Sequence, residues 1–454
     1  MRDRNVGFDS EQHKYRIGRR VRQADAVDFF NLLTGPELLG MTEEHSPEHR
    51  ERLYPPTVTL SMFIKQSLAA DRSCQRAVNA WAGQRSAEGL TVQSIRTGGY
   101  CRARARLPLE MIVALTRETG RLLSAQAPRG WRWRGRCVKL ADGTGISMPD
   151  TPENQARYPQ PRTQAPGVGF PLAGLVGIVC LLTGAVLEAV LGGHAIKGQS
   201  EQDLFRALHG TLRAGDVLLA DALYCSYFQI ATLQAAGVDV LFEQHGSRIT
   251  DFRRGRPLGE RDHLIRWIKP TTRPDWMSRE EYRAFAAEIL VREAKVNGQV
   301  LVTTMQSARA VPKRELAAIY ARRWHIELDI RNIKTTLGIE VLRCMTPAMV
   351  EKELWVCLLA YNLIRLLMAQ AAHAAGLLPR ELSFKHTVQL WNSWPLGAEP
   401  SELFRLIAQR LVGNRPGRSE PRVRKQRPKS FAWLKVPRAT ARRQIRKRRY
   451  PLCA

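Results

Sequence analysis

The stretch 171–195, "PLAGLVGIVCLLTGAVLEAVLGGHA", constrains the fold more than any other part of this chain. A run this apolar must leave water, either across a bilayer or inside a protein core. Thr183–Gly184 stands in its middle and reads as a tight turn, with Val, Ile and Leu on both sides. Two buried strands, around 173–182 and 186–191, fit that pattern better than one spanning helix.

Short apolar runs recur around it. "CVKLADGTGISM" reads as a strand ending in Asp142 and a Gly-rich turn, and "GDVLLADALY" as a buried strand ending in Asp221. "SEQDLFRALHGTL" is a helix with Ser200 as its N-cap, "YFQIATLQAAG" a second helix and "VDVLFEQ" a further strand. The order β, β, β, α, β, α, β predicts an α/β fold with one mixed sheet. Residues 246–311 break the rhythm: "DHLIRWIK", "AEILVREAKV" and "QVLVTTMQ" alternate as half-exposed strands, a β-rich insertion. Helical spacing resumes after Pro312, and "VEKELWVCLLAYNLIRLLMAQAAHAAG" is a long helix ending at Gly376. Upstream, "DAVDFFNLL", "TLSMFIKQSLA", "RSCQRAVNAWAG" and "LPLEMIVALTRETGRLLSA" carry helical spacing, with caps expected near Leu60–Ser61 and Asp71–Ser73. "GGYCRARARLP" reads as an interruption between those helices.

The formal net charge is +28. A charge of that size opposes compaction and attracts polyanions, which favours nucleic acid as the partner over an anionic membrane surface. It is concentrated in residues 401–454, with 17 Lys and Arg against 2 Glu. Trp433 and Leu434 suggest that part of this tail docks on something. The eight cysteines are scattered, without CxxC or zinc-type spacing, so a reducing compartment and no structural metal are expected. The charged N-terminus does not read as a signal peptide, and a cytoplasmic protein without a membrane segment follows as the expectation.

Two strands that each deliver an Asp after apolar residues need an explanation, because a carboxylate in an apolar setting is costly unless it is paired or binds a cation. Neighbouring strands would set Asp142 and Asp221 side by side, and the two charges would repel. A divalent cation removes the repulsion, and oxygen-only ligands favour Mg²⁺, or Mn²⁺ in its place, over zinc. The segment 320–334, "YARRWHIELDIRNIK", supplies a third carboxylate. On an α-helix Tyr320, Arg323, Glu327 and Lys334 fall within an arc of about 60°, beside a stripe of Ile319, Ile326, Ile330, Ile333 and Leu337. Asp142, Asp221 and Glu327 could then hold two metals ~4 Å apart, the arrangement used for in-line phosphodiester displacement. Taken singly these features are ordinary. Asp is a common turn residue, and an Arg–Glu pair at i, i+4 is worth a few tenths of a kcal/mol. Asp150, Asp203, Asp216 and Asp239 read as caps, turns or surface charges, and His194 and His325 as structural or surface residues. The combination in one strongly basic chain carries the signal.

The same three segments, "LADGTGI", "GDVLLADALY" and "YARRWHIELDIRNIK", resemble the catalytic blocks of DDE transposases of bacterial insertion sequences, the insertion-sequence-4 type. The third matches that group's Tyr-x2-Arg-x3-Glu-x6-Lys signature at Tyr320, Arg323, Glu327 and Lys334. "GFPLAGLVGIVCLLTG", "YNLIR" and "SFKHTVQLW" are similar to its flanking segments, so the resemblance covers roughly residues 55–390. It implies an RNase H-like core interrupted by a β-rich insertion. The implied layout is a helical DNA-binding domain over 1–135, the core over 136–245 and 312–390, the insertion over 246–311 and a basic region over 391–454. It also implies cut-and-paste chemistry on double-stranded DNA, at transposon ends and target, by a homodimer in the DNA complex. Two Mg²⁺ ions on Asp142, Asp221 and Glu327 would support hydrolytic nicking and strand joining, with Tyr320, Arg323 and Lys334 on backbone phosphates. Ala222–Leu223 departs from the Arg-Gly or Arg-Glu that many members carry after the second Asp, and "NGQVLVTTM" lacks the Trp with which some relatives hold a flipped base. Two other readings stand beside it: an RNase H-like nuclease of repair or recombination, which would share the carboxylates but not join strands, and a non-enzymatic DNA-binding protein derived from a transposase, which should lack one of the carboxylates.

Overall fold

The computed structural model describes residues 54–87, 89–92, 94–125, 127–394, 400–412 and 433–449. The helix expected at "DAVDFFNLL" lies outside these residues. The central strands are apolar on both faces, and the chain covers both. In β1 (Val138–Ser147), Val138, Leu140 and Ile146 enter one core and Ala141 the other. In β4 (Val217–Ala220), Val217 and Leu219 alternate with Leu218 and Ala220 in the same way. β5 (Asp239–Glu243) repeats the pattern with Leu241 against Val240 and Phe242.

The apolar run of 171–195 forms β2 (Leu172–Cys180) and β3 (Val186–Gly193), paired antiparallel. Gly184 turns between them at φ +76°, a conformation costly for a residue with a β-carbon, which here would also meet the Arg365 guanidinium at 2.7 Å. β1 runs antiparallel to β2 and parallel to β4, and β4 parallel to β5.

Residues 246–311 do not make a sheet of their own. β6 (Arg256–Gly259), β7 (Asp262–Ile268), β8 (Glu288–Val296) and β9 (Gln299–Thr303) extend the first sheet, because β9 pairs antiparallel with both β5 and β8. The order is β3-β2-β1-β4-β5-β9-β8-β7-β6. Arg292 on β8, fully buried, donates to both carboxylate oxygens of Asp262 on β7 at 2.8 and 2.6 Å and to the Val311 carbonyl at 2.7 Å, tying β7 and β8 to the segment that leads into the next helix.

Among the described residues, four α-helices precede the sheet: α1 (Pro56–Leu68), α2 (Cys74–Ala87), α3 (Gly98–Arg106) and α4 (Leu109–Ala125). Two expectations change here. "GGYCRARAR" is helical, since Tyr100 and Ala103 turn inward onto Tyr54, Val78 and Trp81. Leu60–Ser61 lies inside α1, which begins at Pro56, a residue suited to a first helical turn. Within the sheet region, α5 (Pro152–Arg157) follows β1, α6 (Glu201–Ala207) follows β3, α7 (Tyr227–Ala235) follows β4, and α8 (Arg279–Ala284) lies between β7 and β8. Ser200 caps α6 in a reciprocal box with Asp203.

After β9 come α9 (Lys313–Ala321), α10 (Trp324–Arg331) and the long α11 (Pro347–Ala374), then α12 (Phe384–Ser393), α13 (Pro400–Ala408) and the basic α14 (Arg438–Arg449). α11 is long and apolar enough to cross a membrane, but 78% of its most apolar window is buried inside the protein. It packs on α1 and α4 and faces the sheet. Buried Asn362 accepts the Val186 N–H at 2.8 Å and donates to the Val186 and Thr116 carbonyls at 2.8 and 3.0 Å, pinning α11 to β3 and α4 at once.

Candidate active site

β1 and β4 run in parallel register with Leu140 beside Leu219. Two residues further along, each chain carries its Asp. There β4 ends, while β1 continues against β2 with Asp142 opposite Gly177. Asp142 is therefore within a strand and not at its end, as the Gly-rich sequence had suggested, because the β2 ladder carries "GTGIS" onward. What ends at this level is the neighbour, and the edge of β1 opens to Asp221.

Both carboxylates turn onto their own chain. Asp142 Oδ1 accepts the Gly143 N–H at 2.8 Å, and Asp221 Oδ1 accepts the Leu223 N–H at 2.8 Å, starting a 3₁₀ turn over Ala222–Tyr224. Burial pushes the Asp142 carboxyl up to about 7; the charges of Asp221 and Glu201 add to that, while the Gly143 N–H and Arg323 oppose it. Among the described residues, the two carboxylates at this corner of the sheet thus lack a full cationic partner.

The segment 320–334 is not one α-helix. α9 stops at Ala321, Arg322 and Arg323 form a turn, α10 begins at Trp324, and Asn332–Thr336 widen into a π turn. Ile326 and Ile333 are still buried, at 1% and 5% exposure, while Ile330 is half-buried at the margin of the core. The wider turn adds a residue to the helical circuit, and with it Lys334 Nζ reaches Thr144 Oγ1 at 3.2 Å. Thr144 is two residues beyond Asp142 on β1. Tyr320 is buried, and its hydroxyl donates to the carbonyl of Ala220, the residue before Asp221, at 3.3 Å. Arg323 donates to Glu327 Oε1 at 3.1 Å, with the guanidinium 18% and the carboxylate 31% exposed. Burial works against the Arg323 charge, but Tyr320, Glu327 and Asp142 together outweigh it and hold the guanidinium firmly protonated.

Tyr320, Arg323 and Lys334 therefore each reach the corner where β1 and β4 part, and Glu327 is joined to it through Arg323. A cleft of 390 Å³ opens beside it, lined by Glu243, Gln299, Tyr320, Ala321, Arg323, Trp324 and Glu327. Among the described residues, no three Asp, Glu, His or Cys side chains stand close enough to hold a metal ion as they are. The residue types suit a hard divalent cation, since Asp142 and Asp221 offer carboxylate oxygens at one corner and Glu327 stands on the adjoining helix, where Arg323 pairs with it.

Asp329, two residues beyond Glu327, anchors that helix. It is fully buried, and its Oδ1 accepts the Tyr361 hydroxyl at 2.9 Å, Arg365 and the Arg380 Nη1 at 2.6 Å. Arg380 also donates to the Leu181 and Cys180 carbonyls at 2.8 and 3.1 Å, at the β2–β3 turn. α10 is thus fixed to α11 and to the sheet beneath it.

One residue at the corner had no signal in the sequence. Glu201, the first residue of α6, accepts the hydroxyl of fully buried Tyr224 at 2.7 Å. Glutamate in a first helical turn is ordinary, and only the sheet topology brings α6 back to Asp142. Of the tryptophans within residues 246–311, Trp267 is buried under the Arg248 guanidinium and donates to Glu293, while Trp276 is 46% exposed and lies under Arg206.

Residues 133–363 match the family described as the transposase DDE domain. Transposase InsG of insertion sequence element IS4 from Escherichia coli (strain K12) is 33% identical over 352 residues, covering 72% of this chain and 76% of that protein. A solved structure of the piggyBac transposase synaptic complex with hairpin DNA superposes over 88% of each chain with a TM-score of 0.40 and 11% identity.

Proposed function

The chain belongs to the DDE-domain transposases, and from that premise we propose that it is a cut-and-paste enzyme whose catalytic carboxylates are Asp142, Asp221 and Glu327. The observation that carries the assignment is the corner itself. Two aspartates stand at the same level of adjacent parallel strands, the neighbouring strand ends there, and the helix bearing Glu327 packs against β1. The strand order β3-β2-β1-β4-β5, with β1 antiparallel to β2 and parallel to β4, supports an RNase H-like core, with residues 246–311 as the insertion.

Bound Mg²⁺, with Mn²⁺ able to substitute, would supply charge neutralisation at the attacked phosphodiester and lower the pKa of the nucleophile. The chain's own residues do the rest. Asp142 and Asp221 provide oxygen ligands from the rigid sheet, and Glu327 completes the set once it leaves Arg323. Arg323 is then free to take a backbone phosphate through its fork of N–H donors. Lys334 adds a point charge beside Thr144, and Tyr320 fixes the backbone that carries Asp221 and stands ready to meet a phosphate. The helices before the sheet recognise transposon ends, the basic C-terminal region follows the duplex, and two copies act together because two ends must be cut and joined.

Incubation of the protein with Mg²⁺, a linear duplex carrying an element end and a supercoiled target plasmid tests this reading. Cleavage at the end followed by its covalent joining to the plasmid is expected. Cleavage without joining would leave a nuclease and remove strand transfer from the account.

A further inference from the structure

α6 approaches the active corner from the face of the sheet opposite Glu327. Its first residue, Glu201, lies so close to β1 that a β-carbon on Gly143 would fall 2.4 Å from the Glu201 carboxyl carbon and 2.6 and 2.7 Å from its oxygens. Glycine after Asp142 is therefore what lets this carboxylate in. Glu201 is held in that place. Tyr224, fully buried and standing at the end of the turn that Asp221 starts, donates its hydroxyl to Glu201 at 2.7 Å. The next residue, Gln202, donates from its side chain to the Leu223 carbonyl at 2.9 Å in the same turn. Two consecutive residues of α6 thus grip the segment following Asp221, and one of them also touches the backbone next to Asp142. The Tyr224 phenol is kept protonated first by burial and then by the charges of Glu201, Asp142 and Asp221.

We infer that Glu201 is a positioning residue of the catalytic centre: oriented by Tyr224, it sets the spacing of Asp142 and Asp221 and adds a fourth negative charge behind them, toward the divalent cation. This rests on the assignment of Asp142 and Asp221 above. Carboxylates of this outer kind orient first-rank ligands and raise their affinity for metal, and their loss typically weakens metal binding about 10–100-fold.

Calorimetric titration of the full-length protein with Mn²⁺, without DNA, tests the inference. Glu201→Gln keeps the side chain's size and an oxygen for Tyr224 but removes the charge. It is expected to bind Mn²⁺ about 10–100-fold more weakly, while melting within a few degrees of the parent in the absence of metal. Tyr224→Phe leaves the charge but frees it to turn away, and is expected to weaken Mn²⁺ binding in the same direction by a smaller factor. Glu201→Asp is expected to restore part of the affinity. Parental Mn²⁺ affinity in both Glu201→Gln and Tyr224→Phe overturns the inference. Asp142→Asn separates this from the reading beneath it. If Asp142→Asn loses Mn²⁺ binding while those two variants keep it, only the role of Glu201 fails. If Asp142→Asn keeps it as well, the metal site itself has been misplaced.

Discussion

Arg323 reaches across one helical turn to Glu327, 3.1 Å from its Oε1, and so occupies the carboxylate assigned to the metal. A partly exposed pair of this kind contributes at most about 1 kcal/mol to stability, so the arrangement is better understood as a resting position of two groups that separate on DNA. Arg323→Ala should change unfolding free energy by less than about 1 kcal/mol and lower end cleavage by about 100-fold or more. Arg323→Lys should recover little, because a single ammonium cannot fork onto a phosphate. Melting temperature and cleavage measured on one sample check this; unchanged cleavage would make the pair a structural contact only.

The raised carboxyl of Asp142 gives a pH dependence with a definite sign. Unfolded, the group ionises near the ordinary aspartate value, and folded it does so at about 7. Between those values the folded protein binds a proton that the unfolded chain does not. The associated stability is fully present below the unfolded value and is lost as pH rises through about 7. In metal-free buffer the parent should therefore lose stability between pH 5 and pH 8 relative to Asp142→Asn, by on the order of a few kcal/mol. Mg²⁺ should offset the loss at pH 8, and less so at pH 6, where protonation competes with the metal. Thermal melts of the parent and Asp142→Asn at pH 5, 6 and 8, with and without Mg²⁺, check both statements.

Asp329 carries two arginines on one oxygen, inside the protein. Asp329→Asn would leave Arg365 and Arg380 buried without a counter-charge, a change that costs about 3–5 kcal/mol. Chemical denaturation should show a loss of that size. A loss under about 1 kcal/mol would mean that the network does not hold α10 in place.

The basic C-terminal region contributes charge of no stated sequence preference. Deletion of residues 418–454 should weaken binding to all duplexes alike and flatten the dependence of log K on log salt, since fewer counterions are released. Fluorescence anisotropy on an element end and on an unrelated duplex, each over a salt series, distinguishes this from base reading, in which only the end would lose affinity.

The strands flanking Asp142 and Asp221 were legible because buried strands leave dense apolar runs, and the capped helix at Ser200 because its side chains satisfy known backbone donors. The Ile326 and Ile333 stripe was legible by period. The interruption of the helix between Tyr320 and Lys334 was not, because helical spacing runs unbroken through Arg322–Arg323 and Asn332–Thr336 and local propensity is blind to the tertiary packing around them. Asp142 was expected at a strand end because Gly143 and Gly145 read as a turn; their partners on β2 are distant in sequence. Glu201 was invisible for the same reason: its contacts with Gly143 and Tyr224 depend on how α6 crosses the sheet.

Glu327→Gln is the most direct test. It preserves shape and helix and removes one anionic oxygen from the assigned set. Duplex binding and Mg²⁺-dependent end cleavage should be measured on the same preparation. The account predicts parental affinity for the end, a parental melting temperature and no detectable cleavage. End cleavage in Mg²⁺ at the parental rate would contradict it, and would remove Glu327 from the catalytic carboxylates.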